Sequence, residues 1–133
     1  MRADNWYARL LKEFEAAHGR RFRWGQHDCC QFVRRVAIAV SGRPLRRHFP
    51  VYRTKAQADA IVAKFGGYRE LLSYAFGEPS HVSTAKDGDI VLVDFGRGQG
   101  LQPAVCRGVY SYAPGMRNLQ MVETAKAVAA WVF

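Results

Sequence analysis

Two adjacent cysteines, Cys29 and Cys30, follow Asp28 in the stretch Phe22 to Phe32, FRWGQHDCCQF. A thiol reacts or binds metal as the thiolate, and a position in the first turn of a helix favours that form through the macrodipole and the unpaired backbone N–H groups. Asp28 has the residue type of a helix cap, and Gln31 three residues on completes a capping box, so Cys29 falls in that first turn. The apolar spacing puts Cys29 on one side of the helix with Phe32, Val33, Val36 and Val40, facing whatever the helix packs on. Cys30 falls beside Arg34, toward the flank. Three chemistries fit such a pair: a nucleophile, a metal or disulfide site, or a small buried hydrophobe at the start of a core helix.

Spacing argues against two of these. Three cysteines, two of them neighbours, do not make a disulfide framework. The CC pair is not a chelating C-x-x-C, and no second Cys/His pair lies at finger-like distance, so no metal and no other cofactor is expected. A nucleophilic Cys29 needs an imidazole base, and the histidines are His18, His27, His48 and His81. His27 precedes the helix and reads as a surface or capping group. His81, in the loop EPSHVST, is the candidate base.

The elements that position these residues change period midway. Asp4 is the expected cap of a first helix in which Trp6, Tyr7, Leu10, Leu11, Phe14 and Ala17 recur at three-to-four spacing, with Gly19 as the stop. The Cys29 helix runs to Gly42 and Pro44. RPLRRHFPVYR, with two prolines, is an irregular crossing. Thr54 and Gln57 repeat the capping box before AQADAIVAKF, which Gly66 and Gly67 end, and YRELLSYAF forms a further short helix. DGDIVLVDF then reads as a buried strand, PAVCRGVYSYA as a second, NLQMVET as a third and AVAAWVF as a fourth. Helices first and an antiparallel sheet of about four to six strands second make an α+β class, with residues 1–133 as one domain.

The formal charge is +9, from 20 Lys and Arg against 11 Asp and Glu, and the arginines cluster around residues 20–23, 34–35 and 43–47. Such a face favours anionic or interface partners. No nucleic-acid motif accompanies the charge, so nucleic acid is not the expected partner. No leader pattern and no apolar run of membrane-spanning length is present, and a soluble product made in the cytosol is expected.

WGQHDCCQF, SGRP, VYRT, AKDGDIVLVDF, AVCRGVYS and AAWVF together resemble a tail-associated protein family of bacteriophages and prophages, itself similar to the NlpC-type, papain-like cysteine peptidases. The resemblance covers about Phe22 to the C-terminus. In those peptidases a D-C-S-G motif carries the nucleophile, and Asp28-Cys29 matches its D-C, whereas Cys30-Gln31 replaces the Ser-Gly. A G-D-[LIV]-[VL] motif opens the first strand, matched by Gly88-Asp89-Ile90-Val91. The next strand should begin with the base, in H-[VA]-G-I; here Gln102 stands at about that place and no histidine follows His81.

The resemblance therefore implies an NlpC/papain-like fold in which Cys29 is nucleophile-like and the base is missing. It implies a structural or assembly component of the phage tail tip, assembled in the host cytoplasm and carried in the virion, with other tail subunits as partners. Arg46, Arg47, Trp24 and Tyr52 are the expected interface residues, since Arg, Trp and Tyr dominate interface hot spots. The alternative is an active endopeptidase that cleaves peptidoglycan peptides during genome entry, for which a basic surface suits the anionic wall.

Overall fold

The computed structural model describes residues 2–45 and 47–133. Four helices come first: α1 (Trp6–Ala17), α2 (Cys29–Ser41), α3 (Lys55–Phe65) and α4 (Tyr68–Phe76). Five strands follow: β1 (Ile90–Asp94), β2 (Leu101–Arg107), β3 (Tyr110–Pro114), β4 (Leu119–Glu123) and β5 (Ala129–Trp131). All neighbouring strands are antiparallel, in the order β4-β3-β2-β1-β5. The class is α+β.

Local chemistry accounts for the helix ends. Asp28 accepts from the Gln31 N–H at the start of α2, and Thr54 from the Gln57 N–H at the start of α3. Gly42 and Gly66 close the same helices at φ +71° and +94°, a backbone region open to glycine at little cost. α1 departs from expectation: Asn5, not Asp4, is its cap residue, and it makes no side-chain cap bond.

The second expected strand is two strands. PAVCRGVYSYA folds back at Gly108-Val109, so that Arg107 pairs with Tyr110 and Val105 with Tyr112. Gly108 has φ +69° and Val109 is not in the positive-φ region, as a hairpin turn with glycine first requires. The expected terminal strand AVAAWVF contributes Ala129–Trp131, which lies against β1 rather than beyond β4.

Alternation along the strands divides the sheet between two apolar clusters. Ile90, Leu92, Val105 and Trp131 join Leu10 and Phe14 of α1 and Phe32, Val33, Val36 and Val40 of α2. Val91, Val93, Ala104, Cys106 and Ala130 belong to a second cluster that includes Cys29 and Cys30 of α2, Phe49, Tyr52, Leu71 and Ala127, with Val82 and Ala85 packed against it beside the 3-10 turn Val82–Thr84. Each fully buried aliphatic or aromatic side chain contributes about 1.5–3 kcal/mol, so these two faces dominate the stabilisation.

Asp89, of the Gly-Asp step, ties the chain ends together. Its fully buried carboxylate meets the Arg2 guanidinium at 2.8 Å and the Lys86 ammonium at 3.2 Å, and accepts the Lys86 and Phe133 N–H groups. In the neighbouring strand, the Trp131 indole donates to the Gly77 carbonyl at 3.0 Å, fixing β5 to the end of α4. Among the described residues, no helix is long and apolar enough to cross a membrane.

Candidate functional site

Asp28 is the hub of the thiol region. Its side chain is fully buried and takes three donors: the Gln31 N–H at 2.9 Å, the Gly25 N–H at 2.8 Å, and the Tyr52 hydroxyl, which lies 2.7 and 2.8 Å from the two carboxylate oxygens and shares its proton between them. One carboxylate therefore caps α2, holds the Trp24-Gly25 turn and clamps the crossing segment that carries Tyr52. Gly25 is required at that turn. Its φ is +78°, and a Cβ there would collide with the Tyr52 carbonyl oxygen.

Both thiols are enclosed. Cys29 is 7% exposed and Cys30 4%, so Cys30 is not on the flank: the crossing segment, α3 and α4 fold over the start of α2 and bury it. Beside the pair lies a gap of about 10 Å3, walled by Trp24, Phe49, Tyr52, Tyr68 and Leu71, with no residue of the sheet among its walls. That space admits at most a single water molecule. Cys29 and Cys30 line this gap with α3, α4 and the crossing segment, and they belong to the same apolar cluster as Val91, Val93 and Ala104 of the sheet.

The electrostatics oppose thiolate formation at Cys30. A hydrogen bond with Cys29, burial, and the negative charges of Cys29 and Asp28 all push its thiol well above the ordinary range, and Tyr52 offsets this only in part. Burial, then the neighbouring thiols, likewise holds the Tyr68 hydroxyl in its neutral form, and Tyr68 hydrogen-bonds Cys29. Burial and the adjacent Cys30 and Asp28 do the same for Tyr52. Among the described residues, no cation is among the groups that act on Cys30.

The candidate partners lie elsewhere. His27 is 1% exposed and is neither a surface nor a capping group. Its Nδ1 accepts from the Arg35 guanidinium at 2.8 Å and its ring stands edge-on to Phe32, on the side of α2 that faces the first apolar cluster. Burial, reinforced by Arg20 and Arg35, lowers its pKa to about 4. His81 is exposed, and its Nδ1 is engaged by the Ser83 N–H at 3.1 Å and the Ser83 hydroxyl at 2.8 Å in a local turn. Gln102 pairs with Val93, and its amide donates to Gln99 at 2.6 Å.

The register puts Gln102 and Pro103 on opposite faces of the sheet. Gln102 shares its face with Ala104, Val91 and Val93, the residues whose apolar cluster also holds Cys29 and Cys30. Its neighbour Pro103, opposite Leu92, is on the other face and is buried. A proline there offers no side-chain donor, acceptor or titratable group.

The expected interface residues separate in the same way. Tyr52 is buried at 7% and spends its hydroxyl on Asp28, so it is a clamp inside the protein and not a contact surface. Trp24 is half-buried, edge-on to Phe22. Arg47 is exposed, with its guanidinium 5.1 Å above the Tyr74 ring. Arg46 lies outside the described residues. Tyr68 carried no sequence signal beyond its place after Gly66-Gly67, and its approach to Cys29 is a product of the tertiary fold. Among the described residues, no group of three or more His, Cys, Asp or Glu is placed to hold a metal ion.

The fold and the site together define an α+β domain with a buried, tyrosine-enclosed thiol pair at the start of a core helix. The chain belongs to the family described as "Domain of unknown function (DUF6950)", whose model matches residues 1–133. No curated protein matches the sequence.

Proposed function

We propose that this chain is a structural component of a bacteriophage tail tip, built on an NlpC-peptidase-like frame in which the hydrolytic centre has become packing. The observation that carries the loss of chemistry is the enclosure of Cys29 and Cys30 by Tyr52 and Tyr68, with room for one water and no imidazole among the walls. A papain-like thiol needs a base within hydrogen-bond reach and a cleft that admits a peptide. At the place where the resemblance expects the base, Gln102 carries an amide that cannot shuttle a proton, and its neighbour Pro103 carries no polar side chain. The tail-tip role rests on the motif resemblance from Phe22 onward and on an arginine-rich surface suited to subunit contacts. In this role the protein belongs in the virion, assembled in the host cytoplasm beside other tail subunits.

The second reading, an active endopeptidase on peptidoglycan peptides, is favoured by one feature: Cys29 does occupy the first turn of α2, directly after a capping Asp. A single experiment separates the two. The native protein is titrated with a thiol-reactive electrophile across pH and compared with the denatured chain, in which all three cysteines react. The structural reading expects native labelling far slower than labelling of the denatured chain at every pH below about 9, because enclosed thiols react only on opening. A thiol that labels rapidly with an apparent pKa well below the ordinary ~8.5 restores the enzyme.

A further inference from the structure

A second cleft lies on the other side of the segment that covers the thiols. It has a volume of about 390 Å3 and runs between the outer face of α2 and residues 44–45 and 47–52. Gln31, Arg34 and Ile38, at i, i+3 and i+7, form the helix wall; Leu45, Arg47, His48 and Val51 are on the facing wall. We propose that this cleft is a docking groove for an acidic peptide segment of a neighbouring subunit, one in which carboxylates alternate with apolar side chains. The proposal rests on the assembly role above and names the partner chemistry of that role.

Three features support the assignment. The first is charge complementarity: Arg34, Arg47 and His48 stand on the groove, none of the acidic residues is among its lining, and neither Arg34 nor Arg47 has a carboxylate partner among the described residues. Guanidinium groups suit carboxylates through paired, charge-assisted hydrogen bonds. The second is the apolar share. Val51 is 88% exposed, and Ile38 and Leu45 are half-buried beside it, so an aliphatic side chain has a surface to cover between the cations.

The third is rigidity. The same segment that presents Arg47, His48 and Val51 outward buries Phe49 and Tyr52 inward, with Tyr52 bonded to Asp28, while the Arg34 Nε–H donates to the buried Gln31 amide oxygen at 2.9 Å. A groove whose walls are already fixed loses less freedom on binding. Single-stranded nucleic acid fits less well. It is bound by a cationic track with exposed aromatic platforms, whereas the aromatics that line this groove, Phe49 and Tyr52, are 9% and 7% exposed and offer no open ring face for a base to stack on.

The test uses the full-length protein and a fluorescein-labelled peptide in which Glu alternates with Leu. Its Gln-for-Glu twin and a short single-stranded oligodeoxynucleotide serve as comparisons in anisotropy titrations. The Glu peptide is expected to bind at least tenfold tighter than its twin. Val51→Asp, a change at an exposed position, and the pair Arg34→Glu with Arg47→Glu are each expected to weaken it tenfold or more. Arg97→Glu, in the β1–β2 turn, is expected to leave binding within twofold. Equal binding of the Gln twin, equal loss with Arg97→Glu, or tighter binding of the oligonucleotide competing at the same site would each overturn the proposal. The tail role is read separately, from the presence of the wild-type chain in purified tails: its absence there, with groove-dependent peptide binding intact, overturns the tail role and leaves the groove standing.

Discussion

Replacing Asp28 by alanine tests whether this carboxylate is the keystone of the packing around the two thiols. In the native protein it satisfies the Gln31 and Gly25 N–H groups and the Tyr52 hydroxyl. Loss of a helix cap costs about 1 kcal/mol, and each buried donor left without an acceptor costs about 1–3 kcal/mol. Gly25 is only half-buried, so its N–H regains some hydration and its loss falls at the low end. The total for Asp28→Ala is about 3–4 kcal/mol, a substantial part of the roughly 5–15 kcal/mol that stabilises a domain. For a chain of this length that corresponds to a fall in Tm of about 12–16 °C. Tyr52→Phe alone is expected to cost about 1–2 kcal/mol, since it leaves one carboxylate lone pair unpaired while keeping the ring in place. The double variant is expected to be less damaging than the sum by about 1–2 kcal/mol, because once the carboxylate is gone the hydroxyl has no partner to lose. Urea denaturation followed by tryptophan fluorescence measures all three. A cost below about 1 kcal/mol for Asp28→Ala, or additivity within about 0.5 kcal/mol, would refute the clamp.

Acid should expose the burial of His27. Its pKa is about 4 in the folded protein, chiefly through burial, and near 6.5 when unfolded, so below pH 6.5 the unfolded chain gains a proton that the native state refuses. The associated stability is complete above pH 6.5 and is lost as the pH falls toward 4, by about 3 kcal/mol in all. His27→Gln, which keeps an acceptor for Arg35, should flatten the stability–pH curve between those values; an unchanged curve would show that other groups carry it. Gly25→Ala should destabilise by about 2 kcal/mol or more, since it combines a positive φ with a collision at the Tyr52 carbonyl, and hydrogen exchange should show residues 49–52 opening first. Asp89→Asn should cost about 3–5 kcal/mol in chemical denaturation by leaving the Arg2 guanidinium buried at one-sided contact, and a cost near zero would mean that the termini are not held by this pair.

Much of the fold was legible because its signals are local. The caps at Asp28 and Thr54 and the glycine stops at Gly42 and Gly66 are short-range chemistry, and they mark α2 and α3 to within a residue. The hairpin at Gly108 was missed because Arg107-Gly108-Val109 interrupts an apolar run with one glycine and no polar cluster. A single glycine in a strand pattern also fits a bulge. The site was legible in its residues and not in its geometry. Helical spacing places Cys30 one position round from Cys29 and cannot report that residues 49–52, twenty positions away, fold across both. The same limit applies to His27: nothing in its neighbours in sequence announces that Arg35, two turns into α2, draws its ring inward.

The burial of the pair follows from one decision of the chain, where Tyr52 goes. A Cys29 open to solvent would need the segment that carries Phe49 and Tyr52 to stand away from the start of α2, leaving Asp28 to cap the helix without its tyrosine donor. Here the Tyr52 hydroxyl gives Asp28 a third donor, the Gly25 turn is tight enough to accept the Tyr52 carbonyl against its Cα, and Phe49 fills the remaining space over the thiols. These contacts reinforce one another, so the segment cannot lift in part: releasing Tyr52 exposes a buried carboxylate, and releasing Phe49 opens an apolar gap beside Cys29. The same docking leaves Arg47, His48 and Val51 outward on a fixed backbone. Closure of the thiol site and construction of the basic groove are thus two faces of one segment's placement. That coupling predicts that Tyr52→Phe or Asp28→Ala, neither of which touches the groove's cations, should weaken binding of the Glu-Leu peptide as well as loosen protection of the thiols. Peptide affinity unchanged in a variant whose thiols have become reactive would show that the two faces are independent.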